Sequence, residues 1–174
     1  MLRVITGVII AIFTFLIQTC FGKVFSIGEI TPNLMIIFVF SWGFLNGKKH
    51  GLVMGFFCGL LVDLFFGYEG VVGFTALIYM YVGFLNGFLH EVFYGDDIKF
   101  PMVLVAISDF VYNFIYYIFM FLLRNKIDVK FYMGRIIIPE LIYTTIVAIF
   151  VYKILFVLCR LLDKHEKKLE GKYV

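Results

Sequence analysis

The sequence predicts an all-α, polytopic integral membrane bundle of six transmembrane helices, and three observations carry that reading. Of 174 residues, 63% are hydrophobic and only 16% are charged, against about 25% charged residues in an ordinary soluble domain. The mean hydropathy is +1.01. Several apolar runs are continuous and reach the roughly 20 helical residues needed to cross a hydrocarbon core of about 30 Å. The alternating ten-residue pattern of a membrane barrel is missing, so helices are the backbone solution that satisfies its own polar groups in lipid. The formal charge of +3 does not point to nucleic acid, because the basic residues are scattered over loops and cluster only in the tail, where a membrane surface explains them.

Taken in order, the predicted spans cover residues 4–21, 31–46, 51–66, 71–89, 101–123 and 136–158. The first carries Gly7 and Ala11 as a small-xxx-small pair and Gln18 near its far end; it lacks a small-x-small cleavage site and reads as a retained span. The second opens at Thr31-Pro32-Asn33, with Pro suited to a first helical turn. Lys48, Lys49 and His50 form a basic turn before the third span. The fourth is followed by a polar segment, His90 to Lys99. Pro101 opens the fifth, a mixed-charge loop spans Arg124 to Arg135, and the sixth leads to a charged tail. The expected organisation is one transmembrane domain over 1–160 and a cytoplasmic tail over 161–174.

Six spans place both termini on one side. With the termini in the cytoplasm, nine basic residues lie inside and five outside, and Lys153 snorkels from the last span; the positive-inside rule favours this orientation. Tyr68, Tyr94, Tyr132 and Tyr152 sit near predicted span ends, at headgroup depth. Cys20, Cys58 and Cys159 have no CxxC spacing and read as small core or lipid-facing residues, with no disulfide framework and no metal.

The most informative stretch is Gly51 to Gly70. Gly51, Gly55 and Gly59 recur every four residues and form one smooth helical stripe, which Asp63 and Gly67 continue toward Gly70. Such a stripe lets another backbone approach closely, the main route to packing where lipid removes the hydrophobic drive between helices. Asp63 in apolar surroundings marks a protein-facing position. Gly43-Phe44-Leu45-Asn46-Gly47, followed by His50, is echoed by Gly83-Phe84-Leu85-Asn86-Gly87, followed by His90. Two helix ends meeting the same packing demand account for this better than a duplicated hairpin does. Gly83 and Gly87 join Gly51, Gly55, Gly59, Asp63, Gly67 and Gly70 as helix-packing or partner-interface candidates.

Polar residues inside spans are the remaining candidates. Asp109, Asn113, Tyr116 and Tyr117 fall on one face of the fifth span, and the sixth opens with Pro139-Glu140, followed by Tyr143 and Thr144 on the same side. Asp63 and Glu140 are expected at the outer end with Arg124 and Arg135, so an acid–arginine pair is expected there. A transporter would use such acids for a coupling ion or proton; capping by Asp63 and interhelical hydrogen bonding by Asp109 and Asn113 is the plainer account. Catalytic signatures are missing: there is no Gly-x-Ser-x-Gly, no phosphate-cradling glycine loop and no metal-ligand spacing, and His90-Glu91 with Asp96 and Asp97 reads as a solvated turn. No cofactor is implied. The tail fits a solvated helical extension with pairs such as Asp163 to Lys167, or contact with anionic lipid.

Thr31-Pro32-Asn33-Leu34, Gly51-x3-Gly55-x3-Gly59-Leu60-Leu61-x-Asp63-Leu64, Gly67, Gly70 and Tyr81-Val82-Gly83 together resemble the bacterial rod shape-determining protein MreD family over nearly the whole chain. Members of that family usually have Pro-Asp where this chain has Pro32-Asn33. The resemblance implies a non-enzymatic component of the cell-elongation machinery in the bacterial cytoplasmic membrane. Its partners would be MreC, RodA with its transpeptidase partner, and MreB indirectly, in lateral peptidoglycan synthesis and regulation of cell shape. It also implies a fold like that of the S-components of energy-coupling-factor transporters. The alternative function is therefore a substrate-binding S-component of a vitamin transporter, with Gly7 and Ala11 as its docking face. The short segment between the first two spans favours a protein-docking bundle over a vitamin pocket.

Overall fold

The computed structural model describes residues 2–22, 24, 26, 30–66, 72–92, 99–119 and 133–170. Among them six α-helices follow in chain order: α1 Leu2–Phe21, α2 Leu34–Asn46, α3 Lys48–Phe66, α4 Phe74–Val92, α5 Lys99–Tyr117 and, after a π-helical turn at Met133–Ile137, α6 Ile138–Glu170. Four helical stretches, Arg3–Phe21, Lys48–Phe66, Lys99–Tyr117 and Met133–Lys164, are long and apolar enough to cross a membrane. The protein is a polytopic, all-helical membrane protein.

The helix that holds the bundle together is α2. Its 13 residues extend only about 20 Å at 1.5 Å per residue, and Met35 through Phe44 are all buried. A helix that is apolar all round belongs inside protein or lipid; α2 is inside protein, packing against each of the other five helices. Its indole, Trp42, is fully buried and tilts against Phe38 with ring centroids 5.6 Å apart. The outer helices turn apolar side chains outward: Ile5, Ile9 and Phe13 on α1, and Phe150, Ile154 and Leu161 on α6, are exposed.

Helix ends differ from the sequence expectations for identifiable reasons. The second helix starts at Leu34, because Asn33 is its N-cap and accepts the Ile36 N–H at 3.2 Å; Pro32 lies before the helix instead of in its first turn. The basic triplet Lys48–His50 is the first turn of α3, not a connecting turn. Gly47 alone reverses the chain with φ +85°, a conformation that favours glycine. The fourth helix begins at Phe74, just after Gly73 at φ +106°, and extends over His90, whose ring stands edge-on to Phe44 at 5.9 Å. The last helix runs without a break past residue 160 to Glu170. Tyr152, near a predicted span end, is buried and packs against Phe44 and Phe156 at 6.4 and 6.3 Å.

The ends of α1 and α6 meet in an Arg3–Asp163 ion pair. Residues near both termini therefore lie at the same end of the bundle.

Candidate functional site

Two features stand out among the described residues, a glycine seam between α3 and its neighbours and a polar cluster between α5 and α6. In the seam, a Cβ added at Gly51 would stand 2.7 Å from the Gly43 Cα and also strike the Gly83 carbonyl. One at Gly55 would stand 2.7 Å from the Tyr79 carbonyl carbon, and one at Gly59 2.6 Å from the Thr75 carbonyl oxygen. At the lower end, a Cβ on Gly87 would lie 2.6 Å from the Lys48 Cα. The obstacles are backbone, which cannot rotate aside. Helices α2, α3 and α4 therefore meet main chain to main chain at Gly43, Gly51 and Gly83, as small-residue packing requires. Gly67 and Gly70 lie outside the described residues.

Asp63 ends the seam. Its Oδ2 accepts the backbone N–H groups of Gly73 and Ala76 at 2.8 and 3.1 Å, and its Oδ1 accepts that of Thr75 at 3.2 Å. The carboxylate, 4% exposed, thus covers the free amides at the start of α4, where the helix dipole favours negative charge. Capping, the plainer account of Asp63, is what the structure shows: backbone amides occupy both carboxylate oxygens, so the acid–arginine pair expected at Asp63 or Glu140 is not formed by Asp63 among the described residues. Arg124 lies outside the described residues, and Arg135 is on the exposed side of the π-helical turn.

The two copies of Gly-Phe-Leu-Asn-Gly do parallel work. Asn46 Nδ2 donates to the Trp42 carbonyl at 3.1 Å and to Cys159 Sγ on α6 at 3.4 Å. Asn86 Nδ2 donates to the Val82 carbonyl at 2.8 Å and to Ser108 Oγ on α5 at 2.9 Å. Each asparagine bonds back one turn and across to a second helix. The glycines of the echo were legible as packing positions; the asparagines, whose amides have no partner in lipid, were the signal passed over.

The polar cluster lies between α5 and α6 and is closed below by α2 and α4. Thr144 Oγ1 accepts the Asn33 backbone N–H at 3.2 Å, and Tyr79 Oη donates to Asn33 Oδ1 at 3.2 Å. The Tyr79 ring lies 5.2 Å from that of Tyr112, which lies 5.9 Å from that of Tyr116. Glu140 faces Asn113. Asp109 is 0% exposed and lies within electrostatic reach of Glu140, with the Thr144 side chain beside it. Neither of its carboxylate oxygens completes a hydrogen bond among the described residues. The predicted face of Asp109, Asn113, Tyr116 and Tyr117 does turn inward, with Asp109 and Tyr117 buried and Asn113 and Tyr116 half-buried. No group of three or more His, Cys, Asp or Glu residues able to hold a metal occurs among the described residues.

The small face of α1 is spent inside the molecule. A Cβ on Gly7 would stand 2.7 Å from the Trp42 ring and 3.2 Å from Met54 Cε, and Ala11 is 0% exposed.

The family model of the rod shape-determining protein MreD matches residues 1–162. The chain belongs to the MreD family. No curated protein and no solved structure matched it. Family membership, together with the long apolar helices, makes this a multi-pass bacterial membrane protein with a role in cell shape. The non-enzymatic reading rests on that membership.

Proposed function

We propose that the protein is a non-enzymatic scaffold of the cell-elongation complex in the bacterial cytoplasmic membrane. It would join MreC to RodA and its transpeptidase partner, with MreB reached indirectly, and so direct lateral peptidoglycan synthesis. The observation that carries this reading is the family match over residues 1–162. In the proposed topology all six helices lie in the membrane in an S-component-like arrangement, with both termini in the cytoplasm. The Arg3–Asp163 pair supports a common side for the termini, and the positive-inside count supports the cytoplasm. The glycine seam serves the internal fold of the scaffold, leaving the apolar outer faces of α1 and α6 for lipid and partner helices.

The vitamin-transporter alternative needs a docking face on the first helix, and Gly7 and Ala11 are buried on α2 and α3 instead. The test is copurification of the tagged chain in detergent, with mass spectrometry of bound proteins and extractable small molecules. Recovery of MreC and the elongation enzymes is expected. Recovery of an ATPase module with a stoichiometric small molecule would overturn the scaffold.

A further inference from the structure

We propose that Asp109 and Glu140 together bind one monovalent cation inside the bundle, a proton or a sodium ion. This site is independent of which proteins the bundle assembles. Its inner wall is Asp109, 0% exposed, with neither carboxylate oxygen in a completed hydrogen bond among the described residues. Every other buried carboxylate oxygen described here is accounted for: Asp63 receives three backbone N–H groups. Unused acceptors on a fully buried carboxylate are costly, because a buried polar group without a partner keeps its desolvation penalty.

The surroundings specify the sign and size of what completes the site. The side chains acting on Asp109 are Glu140 and Thr144, and the one acting on Glu140 is Asn113. Among the described residues neither set contains a cation. From the other packed elements the titratable groups are Tyr79 on α4, within reach of Asp109, and Tyr112 on α5, within reach of Glu140 and of Asp63 on α3; Cys58 on α3 stands by Tyr79. Helix α2 contributes the neutral Asn33 cap. Arg135, on the π-helical turn, is exposed and makes contacts of its own. Two like charges so placed cannot both persist in a low-dielectric interior without compensation. The carboxylates of Asp109 and Glu140 and the hydroxyl of Thr144 offer oxygens, which suits a hard cation or a proton, while Asn113 donates its Nδ2 to the Asp109 backbone carbonyl at 3.2 Å. A third His, Cys, Asp or Glu ligand of the kind a divalent metal takes is missing among the described residues, and one proton or one sodium ion lowers the pair's two negative charges to one.

Access is graded in the right direction. Asp109 is buried, whereas Asn113, Tyr116 and Glu140, toward the other end of α5 and the start of α6, are half-buried. Glu140 lies in the first turn of α6, three residues after the π-helical turn Met133–Ile137 ends, and π-helical turns recur at functional sites. Proton binding turns one carboxylate of the pair into a carboxylic acid that can donate to its neighbour. Sodium binding leaves both ionised around the metal.

The experiment uses the full chain purified in detergent and follows thermal unfolding by the fluorescence of its single tryptophan, the buried Trp42. Sodium chloride is titrated against choline chloride at constant ionic strength, and infrared spectra are recorded for the C=O stretch of a neutral carboxylic acid. A sodium-specific, saturable rise in midpoint of about 5 °C, missing in Asp109→Asn and reduced in Glu140→Gln, assigns the site to sodium. A neutral-acid band at pH 7 without sodium response, missing in Asp109→Asn or Glu140→Gln, assigns it to a proton. Neither response in the wild-type chain, or a response that both variants retain, overturns the proposal. Should Asp109→Asn not fold, the half-buried Glu140→Gln decides on the same readouts.

Discussion

Replacing Gly51 by alanine adds one methyl group at the point where three backbones converge. Its Cβ would stand 2.7 Å from the Gly43 Cα and 2.8 Å from the Gly83 carbonyl carbon, while carbon atoms at rest lie about 3.5 to 4.0 Å apart. Helices α2 and α4 must each retreat by about 1 Å, and both are fixed elsewhere, α2 by the other five helices and α4 by Asp63. Overpacking of this kind costs about 1 to 3 kcal/mol, and alanine returns about 0.5 to 1 kcal/mol of helix propensity. A net loss of about 1 to 2 kcal/mol is expected. Gly134→Ala is the control, because a Cβ there meets nothing within 4 Å; it should be neutral or slightly stabilising. Reversible unfolding in mixed detergent, followed by Trp42 fluorescence, gives both values. Gly51→Ala as stable as Gly134→Ala would refute the seam as a main-chain contact.

The other predictions concern the polar contacts. Asp63→Asn retains one acceptor but turns an amide NH2 toward a backbone N–H, so a loss of about 2 to 4 kcal/mol is expected in the same assay, with faster hydrogen exchange at Thr75 and Ala76. Ser108→Ala removes the partner of Asn86 across α4 and α5; about 0.6 kcal/mol is expected, and a double-mutant cycle with Asn86→Leu should return that coupling. Gly7→Leu should drive α1 off the Trp42 ring, seen as a red shift of emission together with lost stability. The Arg3–Asp163 pair has side chains 26% and 50% exposed, so a charge swap should change stability by less than about 1 kcal/mol, while cysteines at both positions should crosslink.

How much of this was legible depends on how local each signal is. Gly51, Gly55 and Gly59 announce their role because four-residue spacing and apolar flanks are both visible within one turn of chain, and they face α4 as that spacing implies. Asp63 was legible as buried and protein-facing, but a carboxylate can be satisfied by a guanidinium or by helix-terminal amides, and only the placement of Gly73, Thr75 and Ala76 decides between them. The central position of α2 left no trace in composition, because an apolar helix sheathed in protein and one sheathed in lipid have the same sequence. Its shortness was the overlooked clue: 13 residues fall well under the roughly 20 of a full span. Arg3 with Asp163, 160 positions apart, and Thr144 with Asn33 are long-range pairings that no periodicity encodes.

The bundle is held in two different ways, and the difference bears on where it can respond to partners. Helices α2, α3 and α4 touch through backbone at Gly43, Gly51, Gly55, Gly59 and Gly83. Such contacts have one good geometry, because no side chain is present to change rotamer. Helices α5 and α6 join the rest through side-chain hydrogen bonds, Ser108 to Asn86, Cys159 to Asn46 and Thr144 to Asn33, each worth about 0.6 kcal/mol in a membrane setting. Side-chain bonds of that size can be exchanged for others when a partner helix arrives. The rigid half therefore sets the shape, and the half carrying Asp109 and Glu140 is where an ion or a neighbouring helix can shift the balance. Substitutions along the glycine seam should lower stability in every condition, whereas substitutions at Asp109, Asn113 and Glu140 should change how stability depends on ions and partners. A seam variant that altered ion dependence alone would contradict this division.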